Sequence, residues 1–263
     1  MALTELPENL VILGGGSAGW MSAAYLDRAF NLPGRKRLSI TVVESPAIGR
    51  IGVGEATLPT LAQFTRQLGI DEPTFMKRTQ ATFKHGVEFL GWSGPDTRFF
   101  HPFEAFSRGG FNSGPSWLAR RQEGIAGPFD QESGAQAAIA RLNLSPKRMM
   151  DPDYQSVLPY AYHLDAEAYG DLLAELAQLR GVSHIAGQVA EVERNEDGDV
   201  YTLILEDGRR VNGDLFIDCS GFRSLLLGEA LQTPFEGFEN YLLCDRAVAI
   251  PRPYQTGEAP VPY

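Results

Sequence analysis

Six small residues, Gly14-Gly15-Gly16-Ser17-Ala18-Gly19, follow the apolar run at residues 10–13 and precede a helix-like segment at residues 20–30. Phosphate chemistry explains the spacing. Gly14 permits a tight strand-to-helix turn, Gly16 lets the backbone approach a pyrophosphate, and Gly19 lets the helix lie close on the strand. Ser17 and Ala18 stand at the start of the helix, where free N–H groups face an anion. A second apolar run at residues 38–43 ends at Glu44. An acid there can accept hydrogen bonds from the ribose hydroxyls of an adenosine half, which favours FAD or NAD over NADP. A glycine-rich turn alone is weak support for a ligand; strand, turn, helix, second strand and terminal acid in register predict a dinucleotide site.

Those residues need a scaffold, and the composition supplies one. The chain has 263 residues, 43% of them hydrophobic, enough for a sizeable core. Its formal net charge of −10, without a basic stripe, argues against nucleic acid or an anionic membrane as partner and favours a small molecule. Cys219 and Cys244 make no disulfide framework or C-x-x-C pair, the histidines are scattered, and no metal site is expected. The N-terminal stretch carries Glu5 and Glu8 and lacks a signal-peptide pattern, and no apolar run reaches the roughly 18 residues of a membrane span. The expectation is a cytoplasmic protein.

Strand, glycine turn, helix and strand occupy residues 5–60 and lead into the ordered loop Gly49-Arg50-Ile51-Gly52-Val53-Gly54-Glu55-Ala56-Thr57. From 58 to 90 the apolar positions Leu61, Phe64, Leu68, Phe75, Met76, Phe83, Val87 and Leu90 recur at helical spacing, interrupted by Gly69 and Pro73, which predicts two helices. Residues 91–160 lose periodicity and collect Gly, Pro and aromatics, the composition of loops that bind or close over a ligand. An amphipathic helix is predicted over 165–180, then short strands over 182–185, 187–194, 200–206 and 210–218, with a hairpin turn at Glu206-Asp207-Gly208. The domain expectation is therefore a first part of the nucleotide domain at 1–90, an aromatic loop-rich segment at 91–160, and the rest of the nucleotide domain at 161–263. Leu215-Phe216-Ile217-Asp218-Cys219-Ser220-Gly221 resembles the returning last strand of an FAD-binding sheet, and places Asp218 and Gly221 among the candidate cofactor residues.

Taken in order, Gly14-Gly15-Gly16-Ser17-Ala18-Gly19-Trp20, Gly52-Val53-Gly54-Glu55-Ala56-Thr57-Leu58-Pro59, Thr82-Phe83-Lys84, His101-Pro102-Phe103, Tyr162-His163-Leu164-Asp165 and Asp218-Cys219-Ser220-Gly221-Phe222-Arg223 resemble the flavin-dependent halogenases typified by the tryptophan halogenases. The glycine fingerprint and the Asp-Cys-Ser-Gly strand are widespread among flavoproteins, and the Gly-Val-Gly-Glu-Ala-Thr segment followed by Phe-Lys is the specific part. The resemblance implies an α/β fold: an FAD-binding Rossmann-like domain of the glutathione-reductase type with a β-meander, plus part of a mainly helical and loop-built substrate domain. It implies that FADH2 from a separate flavin reductase reacts with oxygen, that chloride or bromide is thereby converted to hypohalous acid, and that a lysine directs the halogen to an electron-rich aromatic such as tryptophan or indole. Lys84 is that lysine by resemblance. Val53, Gly54, Glu55, Ala56 and Thr57 would meet the flavin, with Glu55 ordering the loop rather than acting as an acid.

Read without the family, Lys84 is a solvated helix lysine paired with Glu88, a pair worth about 0.2–0.5 kcal/mol. His101 and Phe103 match positions that sandwich the indole in tryptophan halogenases, and equally suit an aromatic core cluster with Phe99, Phe100 and Phe106. His163 receives no catalytic role, and Asp165 is expected to cap the helix after it. The halogenase signature Trp-x-Trp-x-Ile-Pro does not occur in the sequence, so the chain is expected to be an N-terminal portion. A homodimer fits the resemblance. An aromatic hydroxylase of the same flavoprotein superfamily and a non-catalytic FAD-binding fragment are the alternatives.

Overall fold

The computed structural model describes residues 7–32, 34–49, 53–108, 111–250 and 252–263. Arg50, Ile51 and Gly52 of the glycine-rich loop, and Glu5, lie outside the described residues. The elements in chain order begin β1 (Asn9–Leu13), α1 (Ser17–Phe30), β2 (Ser39–Glu44), β3 (Gly54–Ala56), α2 (Thr60–Gln67), α3 (Glu72–Arg78), β4 (Thr82–Lys84), β5 (Gly86–Leu90) and β6 (Arg98–Pro102). They continue with β7 (Ser107–Arg108), β8 (Phe111–Asn112), α4 (Gly114–Gln122), α5 (Phe129–Glu132), α6 (Gln136–Arg141), β9 (Ala161–Asp165) and α7 (Ala166–Leu179). The last strands are β10 (Ser183–Ala186), β11 (Val189–Arg194), β12 (Val200–Leu205), β13 (Arg210–Asn212) and β14 (Leu215–Asp218). The chain divides into two units, Met1–Val53 with Ala166–Pro251 and Gly54–Asp165 with Arg252–Tyr263.

The first unit is an α/β domain around a parallel sheet of order β10-β2-β1-β14. Central β1 is covered on both faces, which is why Leu10 to Leu13 form an unbroken apolar run, all buried. Helix α1 turns Trp20, Ala23 and Ala24 inward. Helix α7 turns Tyr169, Leu172, Leu173 and Ala177 inward at the 3.6-residue period. The antiparallel meander β11-β12-β13 shares a core with the sheet through Leu203, Leu205, Val211, Val11, Leu13 and Val43. The single strand expected at 210–218 is two strands, β13 in the meander and β14 in the parallel sheet. Gly213 and Asp214 make the change of sheet: the Asp214 carboxylate accepts the Asn9 amide at 2.8 Å, and the Asp214 amide donates to the Asn9 carbonyl at 2.8 Å.

In the second unit β9 is the central strand of an antiparallel sheet, β3-β9-β4. Helices α2 and α3 form as expected, and Pro73 lies inside the first turn of α3, where its missing N–H costs nothing. The helical reading fails after residue 80. Gln80 takes φ 52°, in the left-handed region, and ends the helical path; Phe83 and Lys84 then lie on β4, and Val87 and Leu90 on β5. Lys84 is thus a strand residue, and Glu88 pairs with Arg98 across the β5–β6 hairpin at 2.7 Å. The ambiguous apolar spacing is settled by pairing, of β4 with distant β9 and of β5 with β6 in a hairpin, which periodicity does not register. Residues 91–160 hold β6, β7, β8 and the short helices α4 to α6, and Phe89 stacks on Phe99 with ring centroids 4.7 Å apart. Among the described residues no helix is long and apolar enough to cross a membrane, and no cluster of metal-ligating side chains occurs.

Candidate active site

The glycine turn of the first unit is built as a cradle. The Gly14 amide donates to the Val43 carbonyl at 2.8 Å, tying the turn to the neighbouring strand. Gly14 has φ 114°, and a Cβ there would stand 2.1 Å from the Cys219 carbonyl oxygen. A Cβ on Gly19 would stand 1.8 Å from the Gly14 carbonyl oxygen, so α1 reaches β1 only because position 19 has no side chain. Gly16 differs: no atom lies within 4 Å of where its Cβ would be. It is also the N-cap of α1, in extended conformation and without a side-chain cap, a setting in which the first N–H groups of a helix can meet an anion. Ser17 directs its hydroxyl to the Ala166 carbonyl at 3.3 Å, and Ala18 occupies the same first turn.

Glu44 ends β2 beside this turn. A Cβ on Gly15 would fall 2.0 Å from the Glu44 Cδ, so the carboxyl group lies directly over the middle glycine. Sequence reasoning assigned no task to Gly15, and its task is to leave that space. The Glu44 Oε2 is 3.1 Å from Nε2 of His184, on β10. Asp218 ends β14 with its carboxylate engaged by the protein: Oδ1 accepts the Ser220 hydroxyl and amide at 2.5 and 3.1 Å, and Oδ2 accepts the Leu226 and Leu227 amides at 2.8 and 2.9 Å. Burial raises this carboxyl, but those bonds outweigh it and hold it below its ordinary value. Asp218 therefore shapes the segment after the strand, where Gly221 takes φ 71° and is exposed. The open position at Gly16, the uncapped helix and the adjacent carboxylate fit a dinucleotide such as FAD: the turn would hold the pyrophosphate and Glu44 the adenosine ribose.

In the second unit Lys84 is 5% exposed. Its Nζ donates to the Thr57 carbonyl at 3.2 Å and lies 5.5 Å from the centre of the Phe103 ring. Burial pushes the ammonium below its ordinary value, and the carboxylate of Glu55 acts the other way. The carbonyl that anchors Lys84 is itself placed by β9, because Thr57 exchanges hydrogen bonds with the Tyr162 backbone, amide and hydroxyl alike, at 2.9–3.0 Å. Phe103 is placed by His85, whose carbonyl accepts the Phe103 amide at 3.0 Å. His85 is fully buried and its Nε2 donates to the Leu144 carbonyl at 3.0 Å. His85, the residue that follows β4, thus anchors the backbone next to the amine that Lys84 presents.

His163 shares the face of β9 beside Lys84: its partners in register are Ala56 and Thr82, while Lys84 faces Ala161. Its Nε2 is buried with no hydrogen-bond partner among the described residues. Burial, and then the charge of Lys84, lower its proton affinity. Val53, Gly54, Glu55 and Ala56 lie at and along β3, with Gly54, Glu55 and Ala56 exposed. Of the two aromatic candidates, Phe103 is half-buried against Lys84, whereas His101 is exposed and meets Phe106 edge-on at 6.4 Å. Asp165 is the last residue of β9 and directly precedes α7.

Behind Tyr162 is a buried polar cluster that no motif indicated. Glu72 accepts the Tyr160 and Tyr162 hydroxyls at 2.5 and 2.7 Å, the Tyr154 amide at 2.8 Å and the ammonium of Lys147. Burial raises the Glu72 carboxyl, and these donors more than offset it, leaving it below its ordinary value. Both phenols are raised, by burial and by Glu72. The cluster fixes β9 from the face opposite His163 and so fixes Thr57, the anchor of Lys84.

The family model of tryptophan halogenases matches residues 9–263. Tryptophan 6-halogenase SttH of Streptomyces toxytricini is 35% identical over 272 residues, covering 95% of this chain and 51% of its own. Tryptophan 7-halogenase RebH of Lentzea aerocolonigenes is 34% identical over 265 residues, covering 94% and 48%. Among solved structures, BrvH, a flavin-dependent halogenase from Brevundimonas sp. BAL3, superposes with a TM-score of 0.79 at 41% identity, over 90% of this chain and 47% of its own. Xcc4156, a flavin-dependent halogenase from Xanthomonas campestris, gives a TM-score of 0.81 at 38% identity over 90% and 47%. The chain spans about half the length of these relatives.

Proposed function

The chain belongs to the tryptophan halogenase family, and from that premise we propose that it carries the flavin cradle and the halogen-directing lysine of an FADH2-dependent halogenase acting on an electron-rich aromatic such as tryptophan or indole. Reduced FAD, delivered by a separate flavin reductase, supplies the oxygen chemistry that converts chloride or bromide to hypohalous acid. The glycine turn and the start of α1 bind the pyrophosphate, and Glu44 binds the adenosine ribose. Lys84 then holds the hypohalous acid by hydrogen bond, or exchanges an N–H for an N–halogen bond with loss of water, and presents the electrophilic halogen to the ring carbon. Phe103 supplies an aromatic wall at the amine, and contacts of that type add about 0.5–1.5 kcal/mol beyond burial.

The observation that carries this reading is the setting of Lys84. An exposed strand lysine would be a fully charged, solvated group. This one is nearly enclosed, its ammonium is held below its ordinary value, and its anchor is a carbonyl rather than a carboxylate. Such an amine gives up a proton more easily than an ion-paired one, as a group that accepts halogen must.

The test uses the full-length protein with FAD, NADH, a flavin reductase, bromide and tryptophan or indole, read by mass spectrometry. A bromine isotope doublet from the wild type, absent in Lys84→Met while FAD binding and melting temperature persist, is the expected result. Halogenated product from Lys84→Met would overturn the role of the lysine, and an oxygenated product from the wild type would move the enzyme to the hydroxylases.

A further inference from the structure

Glu44, which ends β2 beside the glycine turn, does not stand alone. His184 Nε2 is 3.1 Å from its Oε2. A carboxylate oxygen accepts, so the contact is a hydrogen bond with the imidazole N–H as donor. The imidazole is held in turn: Trp20, fully buried in α1 at the end of the glycine fingerprint, meets the ring edge-on with centroids 5.3 Å apart. Neighbouring strands bring His184 to this place, because β10 runs parallel to β2 with Ala186 beside Glu44 and His184 beside Val42.

Packing does not account for the histidine. Its side chain is 29% exposed and borders an open cleft of about 560 Å³ that Asp171, Glu175 and Gln178 also line. A residue needed only to fill the core would be enclosed and apolar.

We propose that His184 is a positioning residue for the flavin cofactor: held by Trp20, it fixes the Glu44 carboxylate over Gly15 in the orientation that receives the ribose hydroxyls of the adenosine half. The proposal rests on the reading of the glycine turn as an FAD site. Histidine at 184, tryptophan at 20 and glycine at 15 then form one device, with a donor for the carboxylate, a wall for the donor and space for the carboxylate.

The experiment measures FAD dissociation constants of the full-length protein and its His184→Leu, His184→Gln, Glu44→Ala and His184→Leu/Glu44→Ala variants by flavin fluorescence, with melting temperatures alongside. Coupling through Glu44 predicts about a tenfold loss for His184→Leu in the wild-type background and none in the Glu44→Ala background. His184→Gln keeps a donor near the Nε2 position and is expected to retain most of the affinity. An equal loss in both backgrounds would assign His184 a merely structural part and overturn the proposal, as would no loss in the wild-type background. Wild-type affinity in Glu44→Ala would remove the ribose reading of Glu44, and the proposal with it. Unchanged affinity in His184→Leu beside weakened Glu44→Ala would remove the proposal alone.

Discussion

Alanine substitutions at the glycines of the turn should separate into distinct outcomes. At Gly19 the new Cβ would lie 1.8 Å from the Gly14 carbonyl oxygen, against an ordinary contact of about 3.5 Å, so α1 must lift from β1 by roughly 1.5 Å. Overpacking against rigid backbone belongs at the upper end of about 1–3 kcal/mol, and the helix propensity of alanine returns about 1 kcal/mol. The net loss of about 2 kcal/mol lowers the melting temperature by roughly 4–8 °C for a chain of this size. At Gly16 the space is open, so stability should hold to within a degree or two, while the methyl group stands where a pyrophosphate approaches. Losing hydrogen bonds to a charged group costs about 1.5–3 kcal/mol, or tenfold to more than a hundredfold in FAD affinity. Gly15→Ala should resemble Gly16→Ala, because the Glu44 side chain can swing away and leave the fold intact. Differential scanning fluorimetry and FAD titration on the same samples decide the matter. A Gly19→Ala protein with unchanged melting temperature, or a Gly16→Ala protein less stable than Gly19→Ala, would refute the steric reasoning.

Acid should unfold the protein in two stages. His85 and His163 are held below their ordinary value of 6.5, first by burial and for His163 also by Lys84. The unfolded chain therefore takes up their protons first, and stability falls as pH drops below that value; a melting temperature constant from about pH 7 to 5.5 would contradict this. Glu72 is depressed below its ordinary 4.5, so its contribution is complete above that value and is lost as pH falls through its folded pKa. Glu72→Gln, which takes the carboxylate from the half-buried Lys147 and from two tyrosine hydroxyls, should cost about 3 kcal/mol, seen as a lower urea midpoint at unchanged slope; an unaltered midpoint would show that the cluster does not hold β9.

What could be read from the sequence was what local chemistry dictates. The turn from Gly14 to Gly19, the strand ending at Glu44, helix α7 and the meander were all legible, because each depends on residues within a few positions of one another. Lys84 was legible as a residue and not as an environment. Its spacing from Leu61 to Leu90 suited a helix, and only pairing with β9, far along the chain, made it a strand residue whose amine is enclosed. The same cause hid His184 and the Glu72 cluster: an isolated histidine in a strand and an acid at a helix start carry no local sign of partners from other elements. Gly15 escaped notice because the demand on it comes from a side chain on the next strand.

The order of strands in the parallel sheet also governs how this chain can be made. Strand β1 takes β2 as one neighbour soon after it emerges, but its other edge waits for β14, and Asn9 and Asp214 are 205 positions apart. At about 5–20 residues per second the ribosome needs roughly 10–40 s to deliver that partner. Throughout that time the apolar strand Asn9–Leu13 presents an unpaired edge, the kind of surface that chaperones bind and aggregates recruit. The glycine turn at Gly14 reaches its final setting only when Cys219 arrives beside it. Completion of the turn therefore follows the long-range closure of the sheet.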